Sequence, residues 1–107
     1  MKRIDFHKLF KQIGPVVLPV IHVKNIYQVI NNIDKIVGEG APGCFLINHD
    51  FGIDDFLPII KKVRIKFPSL WLSVNFLAET GKVAFPILSD LSSQDCFIDG
   101  YWGMMLV

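Results

Sequence analysis

The stretch Gly43-Cys44-Phe45-Leu46-Ile47-Asn48-His49-Asp50 indicates the fold class of this chain. Its apolar part, Cys44–Ile47, has no polar residue at alternate positions, and three polar residues follow it directly. A short apolar run without alternation is typical of a strand in a parallel sheet, which is buried on both faces. The sequence therefore predicts an α/β protein in which this run is one strand among several.

Three further apolar runs accompany this one, and the four recur at a constant interval. They are Val16–Val23, Cys44–Ile47, Leu70–Phe76 and Cys96–Trp102. Equivalent positions are 26 residues apart when the runs are aligned on Leu18, Cys44, Leu70 and Cys96. A fixed spacing that holds one strand, one helix and two short loops is what a βα repeat requires. We therefore predict four βα units.

The segments between the runs have helical periodicity. In the first segment the apolar residues recur at i, i+3, i+4 and i+7, and Gly38-Glu39-Gly40 supplies the stop. They are Ile26, Val29, Ile30, Ile33, Ile36 and Val37. The second helix is predicted to begin near Asp54 and Asp55, whose carboxylates suit a helix N-terminus, and to end before Pro68.

The third predicted helix has Thr80 as its N-cap and continues through Leu91. Pro86 would be tolerated only in the first turn of this helix, because a proline further along a helix removes a backbone hydrogen bond. A short amphipathic helix is also predicted before the first strand, where apolar residues have helical spacing. They are Phe6, Leu9, Phe10 and Ile13.

Strands that are joined by helices and lack alternation of polar and apolar residues fit two architectures. One is an open doubly wound sheet, and the other is part of a (β/α)8 barrel. Equal spacing favours the barrel, because every unit of a barrel is equivalent. Val23-Lys24-Asn25 stands where a dinucleotide-binding sheet would have a glycine-rich phosphate loop. We expect a parallel sheet of four βα units in a single domain, 1–107, that forms half of a TIM barrel.

Composition narrows the classes of partner. The chain has 107 residues, of which 51% are hydrophobic and 20% charged, and its net charge is +1. Electrostatic capture of nucleic acid needs clustered Lys and Arg, and the densest basic run, 61–66, is interpreted as the solvated face of a helix. No apolar run is long enough to span a bilayer. We expect a cytoplasmic protein whose two cysteines, Cys44 and Cys96, are buried free thiols.

Polar residues follow the predicted strands at their carboxyl ends, where α/β proteins place their sites. The candidates for acid/base catalysis are His22, His49 and Asp99, with Asp99 as the partner of a histidine. The candidates for substrate binding are Asn48, Asn75 and Trp102. Each has a structural alternative. In particular, Trp102 and its neighbour Tyr101 are more often core or rim aromatics than a stacking platform.

Hydrogen bonding within the fold is the main alternative for these polar residues. His22 would then bond a neighbouring loop, and Asn75 would tie adjacent strands together. Asn48-His49-Asp50 would form a βα turn in which Asn and Asp cap backbone groups, although Asp50 could also orient His49. An ionised Asp99 within an apolar run needs a partner, so it has either a shifted pKa or a bond to a lysine or a backbone N–H.

Metal and nucleophile motifs are weak. His22, His49 and Asp99 could share a metal ion, but neither HxH nor HExxH spacing occurs, so we predict no metal site and name no cofactor. Neither a Gly-x-Ser-x-Gly nor a Cys-His arrangement can be identified. The 26-residue register also groups His22 with Asn48 and Val74. By strand parity it therefore separates His22 from Asn75, unless a bulge or a loop shifts one of them.

Taken in series, the runs resemble a known group of proteins. The segments in question are Leu18–Val23, Gly43–Asp50, Phe67–Leu77 and Ile98–Trp102. They are similar to the amino-terminal half of an uncharacterised bacterial TIM-barrel family, itself loosely similar to BtpA-like and phosphoribosyl-ligand barrels. The resemblance covers Val16 to Trp102 and implies a phosphorylated or nucleoside-like small ligand.

A barrel of that family would continue beyond Trp102, whereas this sequence finishes at Val107. We therefore expect either a truncated product or two copies that assemble into a whole barrel. Two functional hypotheses follow. The first is a TIM-barrel-type protein, not necessarily an enzyme, that binds a small metabolite, phosphorylated or not, at its strand ends. The second is a non-catalytic fragment or interaction module that self-associates through its exposed half-sheet.

Overall fold

The structure is a computed structural model and describes residues 18–48, 50–76 and 81–101. Strands and helices alternate along these residues. They are β1 (Val20–Val23), α1 (Ile26–Gly38), β2 (Gly43–Asn48), α2 (Ile53–Lys66), β3 (Trp71–Asn75), α3 (Gly81–Ser93) and β4 (Gly100–Tyr101). The predicted α/β class is confirmed. The helix expected around residues 6–13 and the N-cap expected at Thr80 lie outside the described residues.

The four strands form one parallel sheet in the order β1-β2-β3-β4, so each strand pairs with its neighbour in sequence. A βα connection to the adjacent parallel strand is almost always right-handed, so successive connections in one direction place their helices on the same face of the sheet. Buried residues of all three helices indeed share one core with one face of the strands. The opposite face is not covered by α1, α2 or α3.

Alternation along the strands builds this core. Ile21 and Val23 of β1, Cys44 and Leu46 of β2, and Leu72 and Val74 of β3 point toward the helices. The helices contribute buried apolar residues at helical spacing. These are Val29 and Ile33 of α1, Phe56, Ile60 and Val63 of α2, and Ala84 and Leu91 of α3.

The strand register differs from the constant interval expected from the sequence. Val20 pairs with Phe45, Phe45 with Ser73, and Ser73 with Gly100, so the offsets are 25, 28 and 27 residues. Loops of unequal length cause this variation. Side chains alternate between the two faces of the sheet. An offset that differs from 26 by an odd number of residues therefore moves a residue to the face opposite the one expected.

Helix boundaries largely follow the sequence signals. Asn25 caps α1, since its side-chain Oδ1 accepts a 2.9 Å hydrogen bond from the backbone N–H of Gln28. The condition that Pro86 be tolerated only in the first turn is not met, because this residue is the sixth of α3. Pro58 is likewise the sixth residue of α2. Both prolines are exposed, so water can solvate the carbonyl groups that they leave without an N–H partner. No helix within the described residues is long and apolar enough to cross a membrane.

Candidate functional site

The face of the sheet that the three helices leave uncovered has three rows of residues. Alternation and register define them. The row nearest the amino ends holds Gly43 and Trp71, the middle row Val20, Phe45, Ser73 and Gly100, and the row nearest the carboxyl ends His22, Ile47 and Asn75. We call this surface the open face.

An open groove of about 440 Å³ lies on the open face. The described residues that line it are Leu18, Val20, Phe45, Trp71, Ser73, Gly100 and Tyr101. None of these side chains is charged, and Ser73 and Tyr101 carry the only hydroxyl groups among them. Tyr101 pairs with Val74, so its ring lies on the helix side, where it contacts Phe76 and Phe85. The groove volume falls within the range of ligand pockets in proteins.

Ser73 is the distinctive polar group of the groove. The residue is 1% exposed, and no hydrogen-bond partner of its Oγ occurs within residues 18–48, 50–76 and 81–101. A buried polar atom without a partner costs free energy, and such atoms are rare in folded proteins. Ser73 was not among the candidates predicted from the sequence, where it is only a serine between two apolar residues, Leu72 and Val74.

Gly100 and Trp71 set the depth of the groove at Ser73. A Cβ on Gly100 would lie 3.1 Å from Cη2 of Trp71 and 3.2 Å from Oγ of Ser73. The indole therefore extends from β3 over the backbone of β4. Phe45 meets the indole edge to face, with the ring centroids 5.7 Å apart. These aromatic rings form an apolar wall beside the serine hydroxyl.

His22 and Asn75 lie together in the row at the carboxyl edge, on either side of Ile47. Two strand spacings separate them, which corresponds to about 10 Å between their backbones. The structure thus places on one face two candidates that a 26-residue register would have separated. His22 is exposed, whereas Asn75 is half-buried.

Gln28 fixes the turn that follows His22. Its Nε2 donates a 3.1 Å hydrogen bond to the His22 carbonyl, and its Oε1 accepts a 2.9 Å bond from the backbone N–H of Lys24. Gln28 was not among the candidates predicted from the sequence. Its position three residues after the cap Asn25 was the available signal, because a Gln there commonly reaches back across the helix start.

Asn48 lies on the other side of the sheet from His22. It pairs with Val23, and it is 5% exposed. Its Nδ2 donates a 2.8 Å hydrogen bond to the Phe51 carbonyl, so the side chain stabilises the turn between β2 and α2. This geometry favours the turn interpretation of Asn48 over substrate binding. His49 lies outside the described residues, and Asp50 is exposed.

Asp99 lies at the amino-terminal side of the sheet and not at the carboxyl edge expected from the sequence. Its backbone N–H donates to the Leu72 carbonyl at 2.8 Å, which places it beside the second residue of β3. Since β1 and β4 are the two edges of the sheet, about 14 Å of sheet separates it laterally from His22. The structure therefore does not bring Asp99 to His22.

The partner of Asp99 is Arg64. The carboxylate Oδ2 accepts bonds from Nη2 of Arg64 at 3.0 Å and from the backbone N–H of Leu72 at 2.8 Å. The expected need for a partner is thus met by an arginine and a backbone N–H. The expectation that 61–66 is a wholly solvated face is wrong at Arg64, because its side chain is only 11% exposed.

The cysteines are confirmed as buried free thiols. Burial raises the pKa of the Cys44 thiol from 9.0 to about 12 and also raises the pKa of the Cys96 thiol, while Arg64 opposes both shifts. A thiol with a raised pKa is a poor nucleophile. No group of three His, Cys, Asp or Glu residues that could hold a metal ion is found in the part of the chain that the structure describes.

Of the four candidates that lie within the described residues, the structure places His22 and Asn75 in the same row of the open face. Asn48 and Asp99 have the structural contacts described above, and His49 and Trp102 lie outside the described residues. Comparison of the chain with protein-family models, with curated proteins and with solved structures gives no match.

Proposed function

We propose that this protein binds a small molecule on the open face, in the groove over Ser73. The polar end of this small molecule would reach the carboxyl edge of the sheet, where His22 and Asn75 would bind it. The observation that carries this proposal is the buried Ser73 hydroxyl, for which the described residues offer no partner. A ligand that supplied the missing hydrogen bond would remove this cost.

We further propose that the sheet is half of a (β/α)8 barrel whose open face is the barrel interior. Support comes from the strand order, which follows the sequence, and from the placement of all three helices on one face. In a barrel, His22 and Asn75 would lie at the carboxyl end, where barrel proteins bind their ligands. His49 and Trp102 were predicted from the sequence at the carboxyl ends of the second and fourth strands, and we keep them as further candidates for contact with the ligand.

We assign binding roles and no reaction. His22 has the side chain of an acid/base group, but Asp99, its expected partner, is bonded to Arg64 on the far side of the sheet. The lining of the groove does not favour the phosphorylated ligand that the resemblance implies. Phosphate sites are built from arginine, lysine or helix N-termini, and the lining residues that the structure describes include no cation.

A fragment screen followed by ¹H–¹⁵N NMR tests the binding proposal. We expect shifts at the indole N–H of Trp71 and at the amides of Val20 and Gly100. The amides of Tyr27 and Ile65, which are 83% and 80% exposed on the helices, should not move. Shifts confined to the helices, or none at all in the groove, would refute the proposal.

A variant that fills the groove provides the matched control. Gly100→Val places its side chain against Trp71 and Ser73, and it should abolish the groove shifts. Gly38→Val adds the same side chain where nothing lies within 4 Å of a Cβ, and it should leave those shifts intact. If Gly100→Val does not fold, Gly100→Ala replaces it, since its Cβ would displace only the ends of two side chains.

Self-association through the open face is a second candidate. Val20 is 44% exposed there, next to the half-buried rings of Phe45 and Trp71. A parallel sheet is normally covered on both faces, so a second copy could supply the cover. Sedimentation measurements on Val20→Lys and Ile65→Lys test this. A dimer held by the open face should dissociate with the first variant and persist with the second, and a monomeric wild type would exclude it.

A further inference from the structure

We infer that the ligand of the groove is an uncharged, flat ring compound with a hydrogen-bonding group that meets the Ser73 hydroxyl. This inference rests on the proposed function and specifies its ligand class. Three features of the groove carry it: the absence of charge among its described lining residues, its aromatic wall and its single buried hydroxyl.

The charge of the ligand follows from the lining. A charged group that enters an apolar groove loses its hydration, and it regains that energy only from an opposite charge or several hydrogen bonds. Leu18, Val20 and Phe45 offer neither, and Arg64 is directed to Asp99 and backbone carbonyls on the other side of β3. The groove therefore favours a neutral molecule.

The shape of the ligand follows from the wall. Trp71 and Phe45 meet edge to face, and the indole extends over the backbone of β4 at Gly100, beside Ser73. Aromatic surface therefore forms the wall of the groove at this point. A planar ring that enters the groove can stack on this wall.

The hydroxyl of Ser73 decides where the polar group of the ligand lies. Serine Oγ both donates and accepts, so a phenol-type hydroxyl or a ring N–H on the ligand satisfies it. The next row toward the carboxyl edge holds His22 and Asn75, so a second polar substituent would point along the strands in that direction.

Four probes that share one ring test the inference: phenol, toluene, benzoate and phenyl phosphate. Phenol and toluene have nearly the same shape and differ in the group offered to Ser73. In NMR titrations we expect phenol to bind in the groove about threefold to tenfold more tightly than toluene, as for one hydrogen bond. Benzoate and phenyl phosphate should bind more weakly than phenol.

The Ser73→Ala variant should abolish the preference for phenol over toluene. Ser69→Ala, at an exposed position in the turn before β3, should preserve it. If the preference survives Ser73→Ala, or if benzoate or phenyl phosphate binds in the groove more tightly than phenol, the inference is overturned while the binding proposal stands. If none of the four probes moves the groove resonances, the binding proposal fails as well.

Discussion

Nη2 of Arg64 lies 3.0 Å from Oδ2 of Asp99, and this ion pair joins α2 to the residue that precedes β4. The same guanidinium donates to the carbonyl groups of Phe67, Leu70 and Phe97. One side chain thereby holds the end of α2, the entry to β3 and the entry to β4. β4 begins directly after Asp99, so these contacts help to fix the start of the strand beside β3.

Arg64→Met should lower the free energy of unfolding by about 2–4 kcal/mol, because it keeps the apolar stem but removes the side-chain donor to several carbonyls and the positive charge beside Asp99. Urea denaturation followed by circular dichroism measures this. Lys62→Met, an exposed position on the same helix, is the control and should change stability by less than about 0.5 kcal/mol.

Asp99→Asn separates the charge from the hydrogen bond. Its amide oxygen can still accept from the Leu72 N–H, and the carboxylate side chain is 39% exposed, so we expect a loss below about 1 kcal/mol. Equal losses for Asp99→Asn and Arg64→Met would contradict the view that Arg64 acts mainly through the carbonyl groups.

Gly43→Ala should be strongly destabilising. Gly43 pairs with Trp71, and a Cβ at this position would collide with the Trp71 backbone carbonyl, so β2 and β3 would have to separate. We expect a loss of about 2–4 kcal/mol, as for other forced overpacking. Gly38→Ala is the matched control because nothing lies within 4 Å of its Cβ, and alanine there should be neutral or slightly stabilising. Thermal unfolding of both variants measures the contrast, and equal midpoints would refute it.

Cys44 should make the protein less stable at high pH. The folded pKa is raised from 9.0 to about 12, so the folded state keeps a proton that the unfolded chain releases between these values. Stability is therefore unaffected below pH 9 and falls as the pH rises above it, by at most about 1.4 kcal/mol per pH unit. Urea unfolding at pH 8 and pH 10.5 measures the slope.

Cys44→Ala should flatten this dependence, although it lowers stability at pH 8 by leaving a small cavity. Val74→Ala is the control, since it empties a buried position on the same face of the sheet without removing a titratable group. It should lower stability equally at both pH values. A slope that is unchanged in Cys44→Ala would show that other groups cause the alkaline loss.

Asn48→Ala should destabilise the fold by about 1–2 kcal/mol without weakening a ligand bound in the groove. Its amide bonds the Phe51 carbonyl on the helix side of the sheet, away from the open face. Asn31→Ala, on the exposed surface of α1, is the stability control. Phenol titrations of the folded variant test whether ligand binding in the groove is unchanged. A marked loss of affinity would return Asn48 to the candidate site.

The candidate site could be predicted from the sequence only in part. His22 and Asn75 were recognisable because each is a polar residue at the end of an apolar run. Ser73 and Arg64 were not, because a serine within a strand and an arginine within a basic helix are ordinary in isolation. Their significance depends on what surrounds them, and residues distant in sequence supply those surroundings, such as Gly100 for Ser73 and Phe97 for Arg64.

Local patterns in the sequence were enough to predict the α/β class, the order of strands and helices and the helix limits to within a few residues. These features follow from periodicity, caps and stops, which act over one or two turns of chain. The strand register, in contrast, follows from how the folded strands pair. Offsets of 25, 28 and 27 residues place His22 and Asn75 on the open face, turn Asn48 toward the helices and set Asp99 beside Leu72. Side chains alternate between the two faces of a sheet with a period of two, so a loop that is one residue longer or shorter exchanges the faces of the strand that follows.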